Sequence, residues 1–520
     1  MFTATQEVNQ GGLGLSFELW QMPNILLLVP TKDAVATTFL SKRWRFVWTM
    51  LPRLDYKEAN DNSDVESKSV WWFLDESMRF HKAPFLERLL IQLGPQCPVD
   101  VDPVKWFAKA VASRVRWLSF NLLWKSKPIR MPKSIYVCKT LGRLTLANKI
   151  LVDVPHQVSL PSLTELDLSC VVYKDEDSHA SSRCGWETVQ RETAQAQHLG
   201  NTTRHATYMG HIGMWPNLTQ KLAQELRIAT SFIYYPKILI PSNVGHSNRL
   251  LSSCPALKRL KVIRDKRIDD NVRKFSVKVP SLLKLEYSAD KIFQEEDDDT
   301  DRSLVIDTPN LLSLDIDTLG HSCSVEYMPH LVIAEIDVEF YLNENILRSL
   351  SSVKYLVLFP FDTILFPWPK VVINYSRLVE CTIYLSDQDM CESLAVFLSY
   401  FSKLRVFMVD TRVEIGQPAN HDSAIWNQPS SVPKCLSSHL EIFEWDGYRG
   451  REYEKELIRY ILENSKCLKT AGIAPNPTFS GEEKQKMMEE LESMHRVSTS
   501  SVLLSSAQML FGDVYDDQQL

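Results

Sequence analysis

One spacing of apolar residues recurs along the chain: an apolar residue, two others, an apolar residue, one other, and a third apolar residue, often with proline two places ahead. It reads Pro161, Leu163, Leu166, Leu168, then Pro255, Leu257, Leu260, Val262, then Pro280, Leu282, Leu285, Tyr287. Pro309, Leu311, Leu314, Ile316 and Pro329, Leu331, Ala334, Ile336 follow. Without the proline it returns at Val115, Leu118, Phe120, at Leu141, Leu144, Leu146, and at Val353, Leu356, Leu358. Leu378, Cys381, Ile383, then Leu404, Phe407, Val409, and finally Leu440, Phe443, Trp445 complete the series. Most neighbouring copies lie roughly 20–29 residues apart, the period of a leucine-rich repeat.

The last two apolar positions of each copy are two residues apart, so on a strand they share a side. A single strand cannot bury that side, whereas stacked copies form a parallel sheet whose inward faces merge into one core. The spacing therefore predicts an α/β solenoid. No fixed Asn or Cys follows the apolar triplet, so the repeats are irregular. The residue between the two inward positions must face the other way, onto the concave side. That column reads Thr145, Asp167, Lys261, Glu286, Asp315, Glu335, Val357, Thr382, Met408 and Glu444, and the next outward positions add Asp317, Asp337, Asp410 and Asp446. A mostly acidic face favours a basic partner segment. Asp167, Lys261, Glu286, Asp315, Asp317, Glu335 and Asp337 are its candidate binding residues.

The pattern changes in three places. From about Ser178 to His246 the phrase vanishes and Gln, Thr, Ala and His dominate; Gln220 to Ile228 could form one short helix. His179, His198, His205, His211, His246 and Cys184 lack the paired two-to-five-residue spacing of a zinc site. At the amino end, Val29 to Trp48 encodes two short helices back to back. Pro30 suits a helix start, Val35 and Phe39 lie four apart, and Ser41 can cap a second helix carrying Trp44, Val47 and Trp48 before Pro52 stops it. Helices this short are marginal alone and need a partner. At the carboxyl end, a strand at Leu440–Trp445 leads to an amphipathic helix, Glu452–Asn464, with Leu457, Ile458, Ile461 and Leu462 on one face. A strand at Leu468–Ile473 and a second helix, Gly481–Met494, with Met487, Met488, Leu491 and Met494, follow.

Composition narrows the chemistry. A formal net charge of −6 over 520 residues argues against a general nucleic-acid binder. Ten cysteines without a CxxC pair read as reduced thiols in the cytoplasm or nucleus. No signal peptide or membrane span is expected. Asp297, Asp299 and Asp301 start like a calcium loop, but Arg302 and Thr308 stand where Gly and Glu are needed. No GxSxG, HExxH or Gly-rich phosphate loop is present. No catalytic residue, metal site or cofactor is expected.

The order of TKDAVATTFLSKRWRFVW, irregular leucine-rich repeats, and WNQPSSVPKCLSSHLEIFEWDGYRG followed by a helix resembles the plant F-box/FBD/LRR family. The resemblance divides the chain into a degenerate F-box at 13–56, a linker and solenoid start at 57–110, a solenoid at 111–425 interrupted at about 178–246, and an FBD-like α+β cap at 426–512. It implies a substrate-recognition subunit of an SCF-type cullin ubiquitin ligase with no catalysis of its own. Its head would bind a Skp-type adaptor, and through it a cullin, and its repeats would bind a protein target; neither nucleic acid nor membrane is an expected partner. Val29, Pro30, Val35, Phe39, Leu40, Trp44 and Trp48 match the adaptor-binding pattern. Where the family has a first helix with a Leu-Pro pair, this chain has GGLGLSFELWQMPN, whose glycines and Pro23 make a poor helix. The alternative is a non-ligase interaction scaffold with a decayed F-box.

Overall fold

The computed structural model describes residues 25–42, 44–58, 70–95, 98, 101–123, 127–174, 245–264, 272, 274–289, 303–318, 322–338, 344–360, 373–385, 394, 397–411, 431–498 and 502–504. The chain divides into two units, 174–245 and the remainder. The short helix expected at Gln220–Ile228, Cys184, His179, His198, His205 and His211 fall in the 174–245 unit, outside the described residues; Asp297, Asp299 and Asp301 of the incomplete calcium motif belong to the larger unit and also lie outside the described residues.

The larger unit is built on one sheet of fifteen strands, every pairing of which is parallel. In order they are Arg53–Lys57, Arg88–Leu93, Trp117–Leu122, Arg143–Asn148, Glu165–Ser169, Arg259–Arg264, Lys284–Ala289, Ser313–Thr318, Ile333–Val338, Tyr355–Pro360, Glu380–Tyr384, Val406–Asp410, Ile442–Tyr448, Thr470–Pro475 and Val502–Leu504. Spatial order follows chain order throughout, as stacked repeats require. The strand ladder also closes across the unpatterned segment: Leu166 lies opposite Leu260 and Leu168 opposite Val262. Two small parallel sheets lie outside this ladder, one of Ile129–Arg130, Ile150–Val152 and Val172–Tyr173, the other of Lys274–Val277, Ser303–Ile306 and Ser322–Val325.

The recurring proline has a structural reason. In five copies the residue before it accepts a hydrogen bond from the first leucine of the phrase: Leu163 N–H to Leu160 O, Leu257 to Cys254, Leu282 to Val279, Leu311 to Thr308 and Leu331 to Met328. Proline thus occupies the second position of a tight turn, where its fixed φ is an advantage and no N–H is needed. One carbonyl of each preceding repeat then receives two N–H groups at the strand start; Lys258 O accepts from Leu283 and Lys284 at 2.8 and 2.9 Å.

The inward pairs stack in unbroken columns. One column runs Leu118, Leu144, Leu166, Leu260, Leu285, Leu314, Ala334, Leu356, and its companion Phe120, Leu146, Leu168, Val262, Tyr287, Ile316, Ile336, Leu358. All are buried and belong to one continuous core. The sheet begins earlier than the repeat phrase indicates, because Leu54 with Tyr56 and Leu89 with Ile91 already extend both columns at Arg53–Lys57 and Arg88–Leu93.

The carboxyl-terminal segment extends the same ladder instead of forming a separate sheet. Phe443 and Trp445 lie opposite Phe407 and Val409, and Ala471 and Ile473 lie opposite Phe443 and Trp445. The helix between them spans Glu452–Asn464, as its periodicity predicts, with Leu457, Ile458, Ile461 and Leu462 buried. Gly447 and Gly450 hold φ of 83° and 73°, a region costly for side chains, so the GYRG turn needs glycine at both positions. Buried Glu454 accepts the backbone N–H groups of Arg449 and Arg451 at 3.0 Å each and thereby caps the helix.

Leu285→Ala should lower stability by about 2–5 kcal/mol, because it opens a cavity in the column shared by three strands. Urea denaturation followed by circular dichroism measures this; an unchanged midpoint would mean the column is not continuously packed.

Candidate interaction surfaces

The head presents apolar side chains to solvent. A short helix, Thr31–Ala36, follows Pro30, and it is tied to the sheet where Asp55 N–H donates to Thr31 Oγ1 at 2.8 Å. The expected second α-helix is instead a 3₁₀ helix, Trp44–Met50. Its ends are held by three-residue bonds, Trp44 N–H to Ser41 O and Leu51 N–H to Trp48 O, and Thr49 Oγ1 donates to Phe46 O at 2.6 Å. Val35 and Phe39 do not share a face as a continuous helix would require. The helix Thr31–Ala36 gives way to a 3₁₀ turn at Thr37–Phe39, so Val35 packs on the core while Phe39 is 92% exposed.

The family-matching residues therefore separate. Phe39 and Leu40, the latter 71% exposed, stand in solvent with Val29 and Pro30. Trp44 is half-buried, and Trp48 lies in the core. Leu28 at 85% and Phe46 at 63% exposure join the exposed group, although the sequence reading did not select them. Their signal was an apolar residue left over once the inward-facing positions were assigned. Isolated exposed leucines are ordinary, whereas several large apolar residues left exposed within one short segment point to a contact surface.

The open side of the sheet carries the second candidate surface. Its central column is Asp55, Leu90, Ser119, Thr145, Asp167, Lys261, Glu286, Asp315, Glu335, Val357, Thr382, Met408, Glu444 and Gly472, in continuous register. Five of the seven candidate residues read from the sequence, Asp167, Lys261, Glu286, Asp315 and Glu335, fall side by side in this column, and the other two, Asp317 and Asp337, pair in the next outward column. Lys261, Glu286, Asp315, Asp317, Glu335 and Asp337 line one cleft of about 390 Å³ together with Ile263 and Phe359. Asp167 lines an adjoining cleft of about 250 Å³ with Trp117, Arg143, Arg259 and Lys284, and Lys261 and Glu286 border both.

The column on the strand-start side changes the expected charge. It carries Arg53, Arg88, Trp117, Arg143, Glu165, Arg259 and Lys284 in register. The expectation of a mostly acidic face therefore holds only from the strand Ser313–Thr318 onward. Before it, the outward positions are mixed with an excess of cations. From it to Thr470–Pro475 they hold eight carboxylates (Asp315, Asp317, Glu335, Asp337, Glu380, Asp410, Glu444 and Asp446) and no Lys or Arg among the described residues. Nor is this stretch uniformly solvated. Val357, Thr382, Met408, Asp410 and Glu444 are buried on it, and Phe359 stacks on Tyr384 with centroids 4.2 Å apart.

Charges are balanced differently on the two sides of the switch. Arg88 and Arg143, which flank Trp117 in register, lie over its ring system at 4.3 and 4.4 Å, contacts worth about 0.5–1 kcal/mol each at partly exposed sites. Glu165 pairs with Arg143 and also lies 4.0 Å from Arg259. Glu286 pairs with Lys261 at 3.0 Å and Lys284 at 3.2 Å. Burial works against its charge, but these two ammonium groups prevail and hold its carboxyl below the usual range; the bond to Glu286 in turn raises Lys261. Beyond the switch, burial raises Asp315, helped by Glu286 and Asp317. Burial likewise raises Glu335, helped by Asp315 and Asp337. Asp167 is raised by burial against the opposing effects of Ser169 and Lys261, and Glu380 by burial and by Glu444.

Other chemistry is sparse among the described residues. No group of three or more His, Cys, Asp or Glu side chains is arranged to hold a metal, and no helix is long and apolar enough to cross a membrane. His246 is buried, with its Nδ1 accepting the Val154 N–H at 2.9 Å. Cys254, Cys323 and Cys435 are buried free thiols whose burial pushes each up to about 12.

The paired carboxylates set a pH prediction. A raised folded-state value means that folding favours the protonated form, so the repulsion is fully present above the folded-state value and fades as pH falls toward that of the unfolded chain. The combined Asp315→Asn and Glu335→Gln variant should be more stable than the native chain near pH 7 by about 0.5–1 kcal/mol, since solvent screens these half-exposed groups. That difference should shrink as the pH is taken down to about 4. Urea midpoints measured across the range check it; a constant difference would remove the repulsion.

Comparison with known proteins agrees with this architecture. The FBD family model matches residues 428–473, the segment that supplies the strand Ile442–Tyr448, the helix Glu452–Asn464 and the start of the following strand. An F-box/FBD/LRR-repeat protein of Arabidopsis thaliana is 59% identical over 500 residues, covering 94% of each chain. An FBD-associated F-box protein of the same plant is 40% identical over 490 residues, covering 92% of this chain and 94% of its own. Another Arabidopsis F-box/FBD/LRR-repeat protein is 39% identical over 515 residues, covering 94% of this chain and 91% of its own. With its repeat ladder, its carboxyl-terminal segment and its near full-length relatives in agreement, the chain belongs to the F-box/FBD/LRR-repeat family.

Proposed function

We propose that this protein is the target-recognition subunit of an SCF-type cullin ubiquitin ligase. In this reading the head docks on a Skp-type adaptor, which links it to the cullin, and the open face of the sheet holds a protein target. The chain contributes no catalysis and works in the cytoplasm or nucleus. The observation that carries the reading is the set of solvent-exposed apolar residues within the short head segment, Leu28, Phe39, Leu40 and Phe46, in a chain whose relatives bear the F-box name. Leaving such side chains in water gains nothing for the isolated fold, whereas burying each against an adaptor contributes about 1.5–3 kcal/mol.

The members of the head would then have different duties. Val29, Pro30, Phe39 and Leu40 supply contact area. Trp48 and the half-buried Val35 and Trp44 hold the small helices on the sheet, so that the contact side chains are presented in one geometry. A second reading, a scaffold whose F-box has decayed, is favoured by Gly11, Gly12, Gly14 and Pro23 in the stretch where the family has a helix.

Co-expression with a Skp-type adaptor followed by affinity capture tests the proposal. The native chain should retain the adaptor. The Phe39→Asp and Leu40→Asp double variant should lose more than about tenfold in affinity with little change in melting temperature, because both residues are solvated in the free protein. Trp48→Ala should instead lower stability by about 3–5 kcal/mol. Equal capture by the double variant would remove this docking face, and no capture by folded native protein would leave the scaffold reading in its place.

A further inference from the structure

We propose that the open face takes a partner segment whose own charges are segregated. An acidic stretch would lie over Arg143 and Arg259, and a basic stretch over Asp315 and Glu335. This inference rests on the target-capture reading above and narrows it to one class of partner. The change of sign occurs at one strand boundary, between Lys284–Ala289 and Ser313–Thr318, and the two clefts on either side of it adjoin at the Lys261–Glu286 pair. A segment lying in one cleft therefore continues into the other.

Each side has charge left to offer. Glu165 is shared by two guanidinium groups, so a single carboxylate faces both Arg143 and Arg259. The Arg143 guanidinium lies over the Trp117 ring system at 4.4 Å and carries more N–H donors than its pairing with the Glu165 carboxylate uses. On the other side, Asp315 and Glu335 lie opposite one another in adjacent strands, a like-charge pairing that costs stability in a sheet. Basic side chains of a partner would relieve it.

Uniformly charged partners fit poorly. A basic segment long enough to span both clefts is repelled by the arginines, and an acidic one by the carboxylates; only a segregated segment meets attraction at both ends. Strands are spaced by about 4.8 Å, so the three to four steps between the two charge centres span about 17 Å, or roughly five residues of extended chain.

Fluorescence anisotropy with the full-length protein tests this. The probes are labelled peptides with a block of Asp and Glu, a Gly-Ser spacer of about five residues and a block of Lys and Arg, made in both orders. Controls are an alternating peptide of identical composition and an all-basic peptide. One segregated order should bind at least about tenfold tighter than either control at low salt, and added salt should erase the advantage. The Arg143→Gln and Arg259→Gln double variant, checked for native melting, should weaken segregated binding by at least about fivefold and leave the all-basic peptide no weaker. Binding of the alternating peptide as tightly as the segregated ones overturns the proposal. If the all-basic peptide binds best, the acidic columns still capture a target but the segregated partner is excluded. If no peptide binds while the Skp-type adaptor is still captured, only this proposal falls; loss of both by folded protein removes the ligase reading as well.

Discussion

Everything in the larger unit depends on the register of parallel strands. Each strand offers two inward side chains, and these are buried only if the next strand places its own pair directly opposite. The period of a strand is two, so a slip by one residue would turn a whole apolar pair into solvent and bring its charged neighbours into the core. The penalty for slipping is thus set by burial, and it recurs at every boundary from Leu54 opposite Leu89 to Trp445 opposite Ile473. The proline turns assist by fixing where each strand begins. This explains how the ladder passes from Glu165–Ser169 to Arg259–Arg264 without a shift despite the length of chain between them. Loop closure costs grow slowly with length, whereas misregister costs a full pair of buried side chains.

The same register sorts the opposite side of the sheet. Once inward columns are fixed, the residues between them have no choice of direction, and charges of successive repeats line up at the strand spacing. Such alignment is unfavourable for like charges, and the fold tolerates it differently on its two parts. Near the amino end, Glu165 and Glu286 each sit between two cations, and Trp117 separates Arg88 from Arg143. Farther on, no ion pair among the described residues neutralises Asp315 or Glu335, and burial pushes both toward protonation, helped at Asp315 by Glu286 and Asp317 and at Glu335 by Asp315 and Asp337. Groups held in an unfavourable charge state mark positions where a ligand can lower the free energy.

How much of this was legible in the sequence depends on the element. The apolar spacing gives the sheet, the inward pairs and the central outward column, because alternation on a strand leaves no freedom. The helix Glu452–Asn464 could also be read, since its apolar residues repeat with helical period and glycines flank its start. The arginine column was not legible. Arg143 and Arg259 directly precede the first inward leucine of their strands, and the spacing alone does not say whether such a residue belongs to the strand or to the turn before it. Pairing with Trp117 and Glu165 resolves that. The head was only half legible. Its apolar spacing suits two α-helices, but one turn tightens to 3₁₀ and the second element is 3₁₀ throughout, and this sends Phe39 outward while Val35 stays on the core.

The head and the open face share a physical logic. The isolated chain keeps Phe39 and Leu40 in water and aligns Asp315 with Glu335, and neither choice favours its own folding. The large buried core supplies the stability that makes both tolerable, since apolar columns running through more than a dozen strands exceed the cost of a few exposed rings and one cluster of repelling carboxylates. The two unfavourable features differ in what relieves them. An apolar surface is satisfied by area and excludes water, which suits a lasting contact with a fixed component. A charged face is sensitive to salt and to the sign pattern of what approaches, which suits a contact that must form quickly and discriminate among partners. The division follows from where each residue type is placed: apolar excess on the small elements at one end, segregated charge along the repeats.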